Sequence, residues 1–166
     1  AKLSGVGTVL ISDIVNMTAM TAGLSPEELA GLLTRHLSFV TGVIERHAGT
    51  VLRYEGDAVL AFWHPDHKEA SHAQLAFDAS VEILTGLPGL LKGQKGVTYC
   101  VDIVLGTGEM AGDFFGQGRR FQVVGKAMAI AERLSQSQLA SRRSAVRMSQ
   151  YTADLLKTDL GLEPSG

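Results

Sequence analysis

An α+β fold is predicted for this 166-residue chain from three observations. These are the order of its strand-like and helix-like segments, the glycines and prolines at the helix ends, and the absence of a linker within the sequence. Short segments rich in β-branched residues alternate with two long amphipathic segments, in the order strand, helix, strand, strand, helix, strand. Glycine and proline mark the ends of the helical segments. No internal repeat or linker splits residues 1–166, which we expect to form one domain. The βαββαβ order is that of the ferredoxin-like fold, here followed by a C-terminal α/β appendage.

The first strand and the first long helix carry the clearest signals. Val6–Ser12 is a short β-branched and apolar run, which favours a largely buried strand. Ser25 and Pro26 open a helix, because serine is a good N-cap and proline suits the first turn. Apolar residues then recur at helical spacing through His47, and Gly49 ends the helix.

The other elements follow from the same signals. Gly56 beside Asp57 predicts a tight hairpin turn between two strands. The helices are expected to pack on one face of the sheet and to leave the other face free for a partner. The remaining predicted elements are strands at Thr50–Tyr54 and Ala58–Trp63, a helix at about His67–Leu87, strands at Val97–Gly106, Glu109–Phe114 and Arg120–Val124, a helix at Lys126–Gln138, a strand at Ala145–Met148 and a helix at Gln150–Leu156.

Composition indicates a globular domain with no general affinity for nucleic acid or membranes. Hydrophobic residues make up 45% and charged residues 19% of the chain, with a formal charge of −2. That charge does not attract polyanions, and no apolar run approaches the roughly 20 residues that cross a bilayer. We expect a cytoplasmic domain without nucleic-acid or membrane contacts. Because the chain begins without methionine, we expect it to come from a longer soluble or membrane-attached protein.

Several conspicuous polar residues are interpreted as structural. The single cysteine, Cys100, excludes an internal disulfide and lies in an apolar stretch, where an inert buried thiol is expected. A late group of arginines is interpreted as a solvated face rather than a polyanion site. A group of histidines lacks the pattern of a zinc site and is interpreted as a polar loop and helix start. These groups are Arg133, Arg142, Arg143 and Arg147, and His64, His67 and His72.

Asp13 and Asp57 are predicted to meet at one edge of the sheet. In a ferredoxin-like fold the first strand lies beside the third and runs antiparallel to it. Asp13 ends the first strand and Asp57 begins the third, so both reach the same edge. Two adjacent carboxylates repel, and a divalent cation relieves the repulsion. Either aspartate alone is typical of a turn, but the pair favours a Mg²⁺ or Mn²⁺ site.

The segment after Asp13 is a candidate phosphate-binding element. Ile14–Thr18 leads into a helix, whose exposed amides can hold a triphosphate. The palm of polymerases uses a similar geometry, so the carboxylate pair does not by itself name a reaction.

Three segments resemble motifs of the class III adenylate and guanylate cyclases. Ser12–Thr18 (SDIVNMT) resembles S-D-I-x-G-F-T. Arg53–Trp63 (RYEGDAVLAFW) resembles K-[FY]-x-G-D-A-[VL]-[ML]-A-F-W, and Val124–Leu134 (VGKAMAIAERL) resembles V-G-x-x-V-N-x-A-x-R-L. The motifs occur in the family's order and spacing, and glycines between residues 106 and 118 fall where the family has a glycine-rich strand pair.

The resemblance implies a nucleotidyl cyclase that converts ATP or GTP to a 3′,5′-cyclic nucleotide and pyrophosphate. It implies a head-to-tail homodimer, or a heterodimer with a related domain, with active sites at the interface. One chain would bind two Mg²⁺ or Mn²⁺ ions through Asp13, Asp57 and the Ile14 carbonyl. The other would present the base-selecting and transition-state positions Arg53, Gln122, Ala129 and Arg133, of which Arg133 would neutralise the α-phosphate. The candidate catalytic residues are Asp13, Asp57 and Arg133, and the candidate substrate-binding residues are Val15, Asn16, Met17, Thr18, Arg53, Gln122 and Ala129.

The chain departs from the family pattern at the positions implied to read the base and support the transition state. Ala129 replaces an asparagine, and losing one such hydrogen bond costs two or three orders of magnitude in rate, so weak activity is expected. Arg53 replaces a lysine, and Gln122 replaces an aspartate, threonine or cysteine. Glutamine both donates and accepts hydrogen bonds whereas arginine only donates them. These residues therefore do not determine whether the substrate carries adenine, guanine or a pyrimidine.

Two further departures from the family pattern lie in the turn after Asp13 and at the C-terminal end of the sequence. Asn16 and Met17 replace glycine and phenylalanine, but asparagine tolerates a left-handed backbone, so the turn is expected to survive. The family's C-terminal lysine-bearing strand is not visible before Gly166.

Other interpretations remain open at this stage. A catalytically weak or silent cyclase-like domain, which binds nucleotide or only dimerises as a regulatory module, is favoured by Ala129 and the missing strand. A palm-type enzyme that makes a dinucleotide or polymer lacks its glycine-rich signature. Arg133 could instead form a surface ion pair with Glu132 or Glu109, and Arg53 and Gln122 could be ordinary solvent-facing strand residues.

Overall fold

The computed structural model describes residues 3–66, 71–91, 99–137 and 143–157. The elements are β1 (Leu3–Ile14), α1 (Met17–Thr21), α2 (Pro26–Arg46), β2 (Thr50–Glu55), β3 (Ala58–Trp63), α3 (Ser71–Gly86), a 3₁₀ helix (Leu87–Leu91), β4 (Val101–Phe115), β5 (Arg120–Gly125), α4 (Lys126–Gln136), β6 (Ala145–Met148) and α5 (Gln150–Asp154).

The strands form one sheet in the order β2-β3-β1-β4-β5, with β6 paired to β4 outside this path. Strand β1 runs antiparallel to both β3 and β4, and β6 runs parallel to the first part of β4. The first strand therefore lies beside the third, as predicted for the ferredoxin-like core. The α+β class and the βαββαβ core with its α/β appendage are confirmed.

Helices cover both faces of the sheet. Helices α2 and α3 pack on one face around Leu10, with Val40 and Ile83 fully buried. Helix α4 packs on the opposite face, where Ala127 contacts the cluster around Val9. The prediction that one sheet face stays free is therefore wrong. Consecutive strand residues face opposite sides, and the apolar run in β1 leaves both sides in need of cover.

Glycines in β4 let α4 approach the sheet. A Cβ atom at Gly106 would lie 2.6 Å from the Ala127 carbonyl oxygen and 2.8 Å from the Ala131 nitrogen. The stretch predicted as two strands is consequently one, Val101–Phe115, because its glycines accommodate close packing rather than break the strand. Residues 97 and 98, and the predicted ends of two helices at His67 and Gln138, lie outside the described residues.

The start of α2 is as predicted, and its end differs in detail. The Ser25 hydroxyl accepts a hydrogen bond from the Glu28 amide at 3.1 Å, and Pro26 occupies the first turn. The left-handed residue after the helix is Ala48, with φ of 65°, rather than Gly49. Gly49 is needed for space, because a Cβ atom there would lie 2.6 Å from the Trp63 ring. None of the helices in the described ranges is long and apolar enough to cross a membrane.

Candidate functional site

The two predicted metal-binding aspartates meet where β1 ends. Asp13 is the penultimate residue of β1, and Asp57 lies in the turn between β2 and β3. Gly56 gives that turn its left-handed φ of 61°. The Asp57 Oδ2 accepts a hydrogen bond from the Ile14 amide at 2.7 Å, which fixes the Asp57 carboxylate against the end of β1.

The Asp13 carboxylate is partly buried and lies among other charged groups at this edge of the sheet. Burial, followed by the carboxylates of Asp102 and Asp57, raises the pKa of Asp13 to about 6 against the opposing effect of Arg147. Asp102 is the residue of β4 directly opposite Asp13. Desolvated carboxylates that repel each other gain from a shared positive charge. In the described part of the chain no cluster of three or more His, Cys, Asp or Glu side chains could hold a metal. The ligands that the resemblance implies are two carboxylates and the Ile14 carbonyl.

A cleft of about 450 Å³ opens beside Asp13, between the sheet and α4. Glu55 lines it from the end of β2, and Glu132 and Gln136 line it from α4. Sequence reasoning did not assign either glutamate to the site. Their cleft positions follow from the packing of α4 on the sheet, which the sequence analysis did not anticipate.

The segment after β1 has the predicted turn. Asn16 adopts φ 55° and ψ 48°, so the expectation of a left-handed residue here is confirmed. Helix α1 begins at Met17 and includes Thr18, and both residues lie in its first turn, where amides lack intrahelical partners. The Val15 amide is engaged differently, since it donates to the Cys100 carbonyl at 2.9 Å. Val15 therefore does not present a free amide to a ligand.

The two predicted base-reading residues contact each other. The Arg53 Nη1 donates to the Gln122 Oε1 at 3.0 Å, and the Arg53 Nε donates to the Glu55 Oε1 at 2.7 Å. Arg53 lies on β2 and Gln122 on β5, which are the two ends of the sheet path. Both residues are half-buried and joined by a hydrogen bond, whereas the alternative interpretation has them as ordinary solvent-facing strand residues.

Ala129 and Arg133 occupy one exposed face of α4. They are four residues apart, so they lie one above the other on the helix surface. Both are exposed, and neither lines the cleft that contains Asp13. Within the described ranges Arg133 forms no ion pair, and the proposed surface pairs with Glu132 or Glu109 are absent there.

The late arginines do not form one solvated face. Arg147 donates to both carboxylate oxygens of Asp102, at 2.6 and 3.0 Å, and also to the carbonyls of Leu134 and Ser137. Its side chain is only 21% exposed. The sequence signal for such a partner was Asp102 inside the apolar run of β4, because a buried carboxylate is almost always paired. Arg133 and Arg143 are exposed as predicted, and Arg142 lies outside the described residues.

Two smaller predictions had different outcomes. Cys100 is half-buried rather than buried. His72 lies at a helix start as predicted, in the first turn of α3, where it is 5% exposed and its Nδ1 lies 2.8 Å from the Thr8 hydroxyl. His64 belongs to a polar loop, where its Nδ1 accepts from the Asp66 amide at 3.0 Å. His67 lies outside the described residues.

Comparison with known proteins places these features in a family. The profile of the adenylate and guanylate cyclase catalytic domain matches residues 2–165. Adenylate cyclase 1 of Rhizobium meliloti (strain 1021) is 27% identical over 88 residues, which cover 53% of this chain and 13% of that protein. Adenylate cyclase type 10 of Oryctolagus cuniculus is 29% identical over 133 residues, which cover 74% of this chain and 8% of that protein. This chain thus spans a small fraction of either relative.

Solved structures of cyclase domains have the same fold as this chain. The adenylyl cyclase CyaB from P. aeruginosa superposes with a TM-score of 0.77 at 24% identity, covering 93% of this chain and 82% of that one. The guanylate cyclase domain of RhGC from Catenaria anguillulae, solved in complex with GTP, gives a TM-score of 0.74 at 22% identity, covering 92% and 82%. At these identities the likeness establishes the fold alone.

Proposed function

Because this chain belongs to the adenylate and guanylate cyclase catalytic domain family, we propose that it converts ATP or GTP to a 3′,5′-cyclic nucleotide and pyrophosphate. The observation that carries the proposal is the hydrogen bond from the Ile14 amide to the Asp57 carboxylate. It holds Asp57 at the end of β1, beside Asp13, where the two carboxylates can share cations.

Asp13, Asp57 and the Ile14 carbonyl are the residues that would hold two Mg²⁺ or Mn²⁺ ions. Their fit rests on geometry, because the Ile14 amide holds the Asp57 carboxylate at the end of β1, where Asp13 also lies. Burial first, and the neighbouring carboxylates second, raise the pKa of Asp13 to about 6. When bound, such ions neutralise phosphate charge and acidify the attacking 3′-hydroxyl. The chain's own work is to fix both carboxylates before substrate arrives, so that no reorganisation is needed during reaction.

The triphosphate would lie along the start of α1. Met17 and Thr18 are in the first turn, and Asn16 supplies the left-handed residue that turns the chain from β1 into the helix. Amides at a helix start favour anionic oxygens. We assign these residues to substrate binding through their main chain, and we leave Val15 in a supporting role because its amide is already bonded.

The transition-state residues would act on the site of a second chain. Arg133 and Ala129 are exposed and lie outside the Asp13 cleft. A head-to-tail homodimer, or a heterodimer with a related domain, would bring Arg133 to the partner's α-phosphate. A guanidinium suits that position because its planar fork matches phosphate oxygens.

The proposal is tested by incubating the purified dimeric protein with Mn²⁺ and each of the four nucleoside triphosphates. We expect a cyclic nucleotide and pyrophosphate from at least one purine triphosphate. Asp57→Asn, which can still accept the Ile14 hydrogen bond, should lower the rate by about a hundredfold or more because a metal ligand loses its charge. Asp78→Asn is the matched control, since Asp78 is exposed on α3. Absence of cyclic product from all four triphosphates would contradict the proposal.

A second candidate function is a silent nucleotide-binding or dimerising module. Ala129 favours it, because an exposed methyl group on α4 offers no hydrogen bond where the family has an asparagine. Calorimetric titration with a non-hydrolysable triphosphate distinguishes the two functions. Metal-dependent binding without turnover supports the module, and robust turnover excludes it.

A further inference from the structure

The last turn of α4 is held by a side chain from another element. Arg147, on β6, donates from Nη2 to the Leu134 carbonyl at 2.7 Å and to the Ser137 carbonyl at 3.0 Å. Its Nη1 donates to the Ser137 hydroxyl at 3.1 Å. The last carbonyls of a helix have no intrahelical partners, and a cation there also complements the helix dipole. Arg147 therefore caps the C-terminal end of α4 from outside the helix.

This cap is anchored in the sheet. Asp102, in the first part of β4, accepts from Nε and Nη2 of Arg147 at 3.0 and 2.6 Å, and it is only 7% exposed. A carboxylate that pairs with two nitrogens of a guanidinium fixes the plane of that group. Rotation of the guanidinium away from α4 would also break this pairing and leave a buried carboxylate without its partner.

Arg133 lies in the turn that Arg147 caps. The Arg133 carbonyl accepts from the Ser137 amide at 3.2 Å, and Leu134 is the next residue of the helix. The Arg133 side chain is exposed and forms no ion pair within the described ranges. The backbone of this turn therefore determines where its guanidinium can reach.

We infer that Arg147 is a positioning residue for the reaction and acts through Arg133. This inference rests on the proposed function, in which Arg133 reaches the α-phosphate at the partner's site. Helix ends fray, and a displacement of about 1 Å in a reacting group can cost about a hundredfold in rate. By holding the last turn of α4, Arg147 keeps Arg133 where the transition state needs it. The motif at Val124–Leu134 contains Arg133 and not Arg147.

A second route leads from Arg147 to the metal half of its own chain. Asp102 lies directly opposite Asp13 in the pairing of β1 with β4, and Arg147 lowers the pKa of Asp13 against the stronger effects that raise it. That effect depends on charge, whereas the cap depends on a planar fork of donors. Arg147→Lys separates the two routes, because lysine keeps the charge but cannot span the Asp102 oxygens and the α4 carbonyls together.

The first measurement is the steady-state kinetics of Arg147→Lys in Mn²⁺. We expect kcat to fall about tenfold with little change in KM for the triphosphate, because only the transition state loses an interaction. Asp102→Val with Arg147→Met, which removes both charges, should lose about a hundredfold in kcat although it keeps most of the parent's stability. Arg143→Lys makes the same change at an exposed arginine before β6 and should leave kcat unchanged.

Co-expression identifies the half of the site that Arg147 serves. Two variants that damage different halves give a heterodimer with one intact site, whereas two that damage the same half do not. Arg147→Lys with Asp57→Asn should therefore reach about a quarter of the parent activity. Arg147→Lys with Arg133→Ala should be no more active than Arg147→Lys alone.

The outcomes separate this inference from the proposed function. Activity restored by Arg133→Ala and not by Asp57→Asn would assign Arg147 to the metal half and overturn the inference. Equal activity of the two mixtures, or an unchanged kcat for Arg147→Lys, would also overturn it, and each of these results leaves the cyclase proposal standing. A parent protein without cyclase activity would overturn both. Restoration by Asp57→Asn alone, with KM unchanged, would support the inference.

Discussion

At the scale of single residues, the position of Asp13 lowers the free energy of unfolding, because its ionised carboxylate is partly buried. Burial is the main cause of its raised pKa, and neither nearby carboxylate helps it to ionise. Sequence motifs identified Asp13 and Asp57, and topology predicted that they would meet. The contact from the Ile14 amide to Asp57 could not be predicted, because it depends on how the β2–β3 turn closes over the end of β1.

The pH dependence of stability tests this residue. The pKa of Asp13 rises from 3.8 to about 6 on folding, so between these values the folded state binds more protons and the free energy of unfolding falls as pH rises. In metal-free buffer near pH 7, Asp13→Asn should stabilise the fold by about 1 kcal/mol after allowance for solvent screening. The melting temperature should rise by about 2–4 °C, and the gain should vanish near pH 4.

Two controls accompany this melting-temperature measurement: the addition of Mn²⁺ and a variant of an exposed aspartate. Mn²⁺ should raise the melting temperature of the parent and not that of Asp13→Asn, since binding to the folded state alone stabilises it. Asp154→Asn, at an exposed position on α5, should behave like the parent. A parent protein that is more stable than Asp13→Asn near pH 7 without metal would contradict the account.

At the scale of elements, the glycines of β4 and the ion pair at its start determine where α4 lies. Gly106 leaves room for the helix backbone, and Arg147 ties the end of α4 to Asp102 through the Leu134 and Ser137 carbonyls. Helical periodicity predicted α4 itself. Its place on the second sheet face could not be predicted, because periodicity gives the apolar side of a helix and not the surface that it covers.

For the Asp102–Arg147 ion pair, we predict that a single variant is less stable than the double variant that removes both charges. Asp102 is 7% exposed, so Arg147→Met should destabilise the fold by about 3 kcal/mol by leaving a buried carboxylate unpaired. The double variant Asp102→Val with Arg147→Met removes both charges and should recover most of that loss. Chemical denaturation measures both. A double variant as unstable as the sum of its single variants would show that the pair does not act as a unit.

At the scale of the whole molecule, the sequence predicted the right fold class and placed its three motifs on the elements that carry them. It identified three pairs of site residues and predicted that only the members of the first would meet: Asp13 with Asp57, Arg53 with Gln122, and Ala129 with Arg133. The structure fixes Asp57 beside Asp13 through the Ile14 amide and joins Arg53 to Gln122 by a hydrogen bond. It leaves Ala129 and Arg133 exposed on α4. Motif spacing could not reveal the Arg53–Gln122 bond, since it joins strands at opposite ends of the sheet path.

The separation of Asp13 and Arg133 within one chain is the basis for proposing a site shared by two chains. If the metal carboxylates and Arg133 serve one site from different chains, then two inactive variants can restore each other. Asp57→Asn lacks the metal half of the site, and Arg133→Ala lacks the transition-state half. A heterodimer of the two variants contains one site with both halves intact.

The most direct test is therefore the cyclase activity of Asp57→Asn co-expressed with Arg133→Ala. We expect each variant alone to be nearly inactive and the mixture to reach about a quarter of the parent activity, because half of the dimers carry one intact site. Co-expression of Asp57→Asn with Asp13→Asn, which damage the same half, should restore nothing. A mixture of Asp57→Asn and Arg133→Ala no more active than either variant alone would contradict a shared two-chain cyclase site.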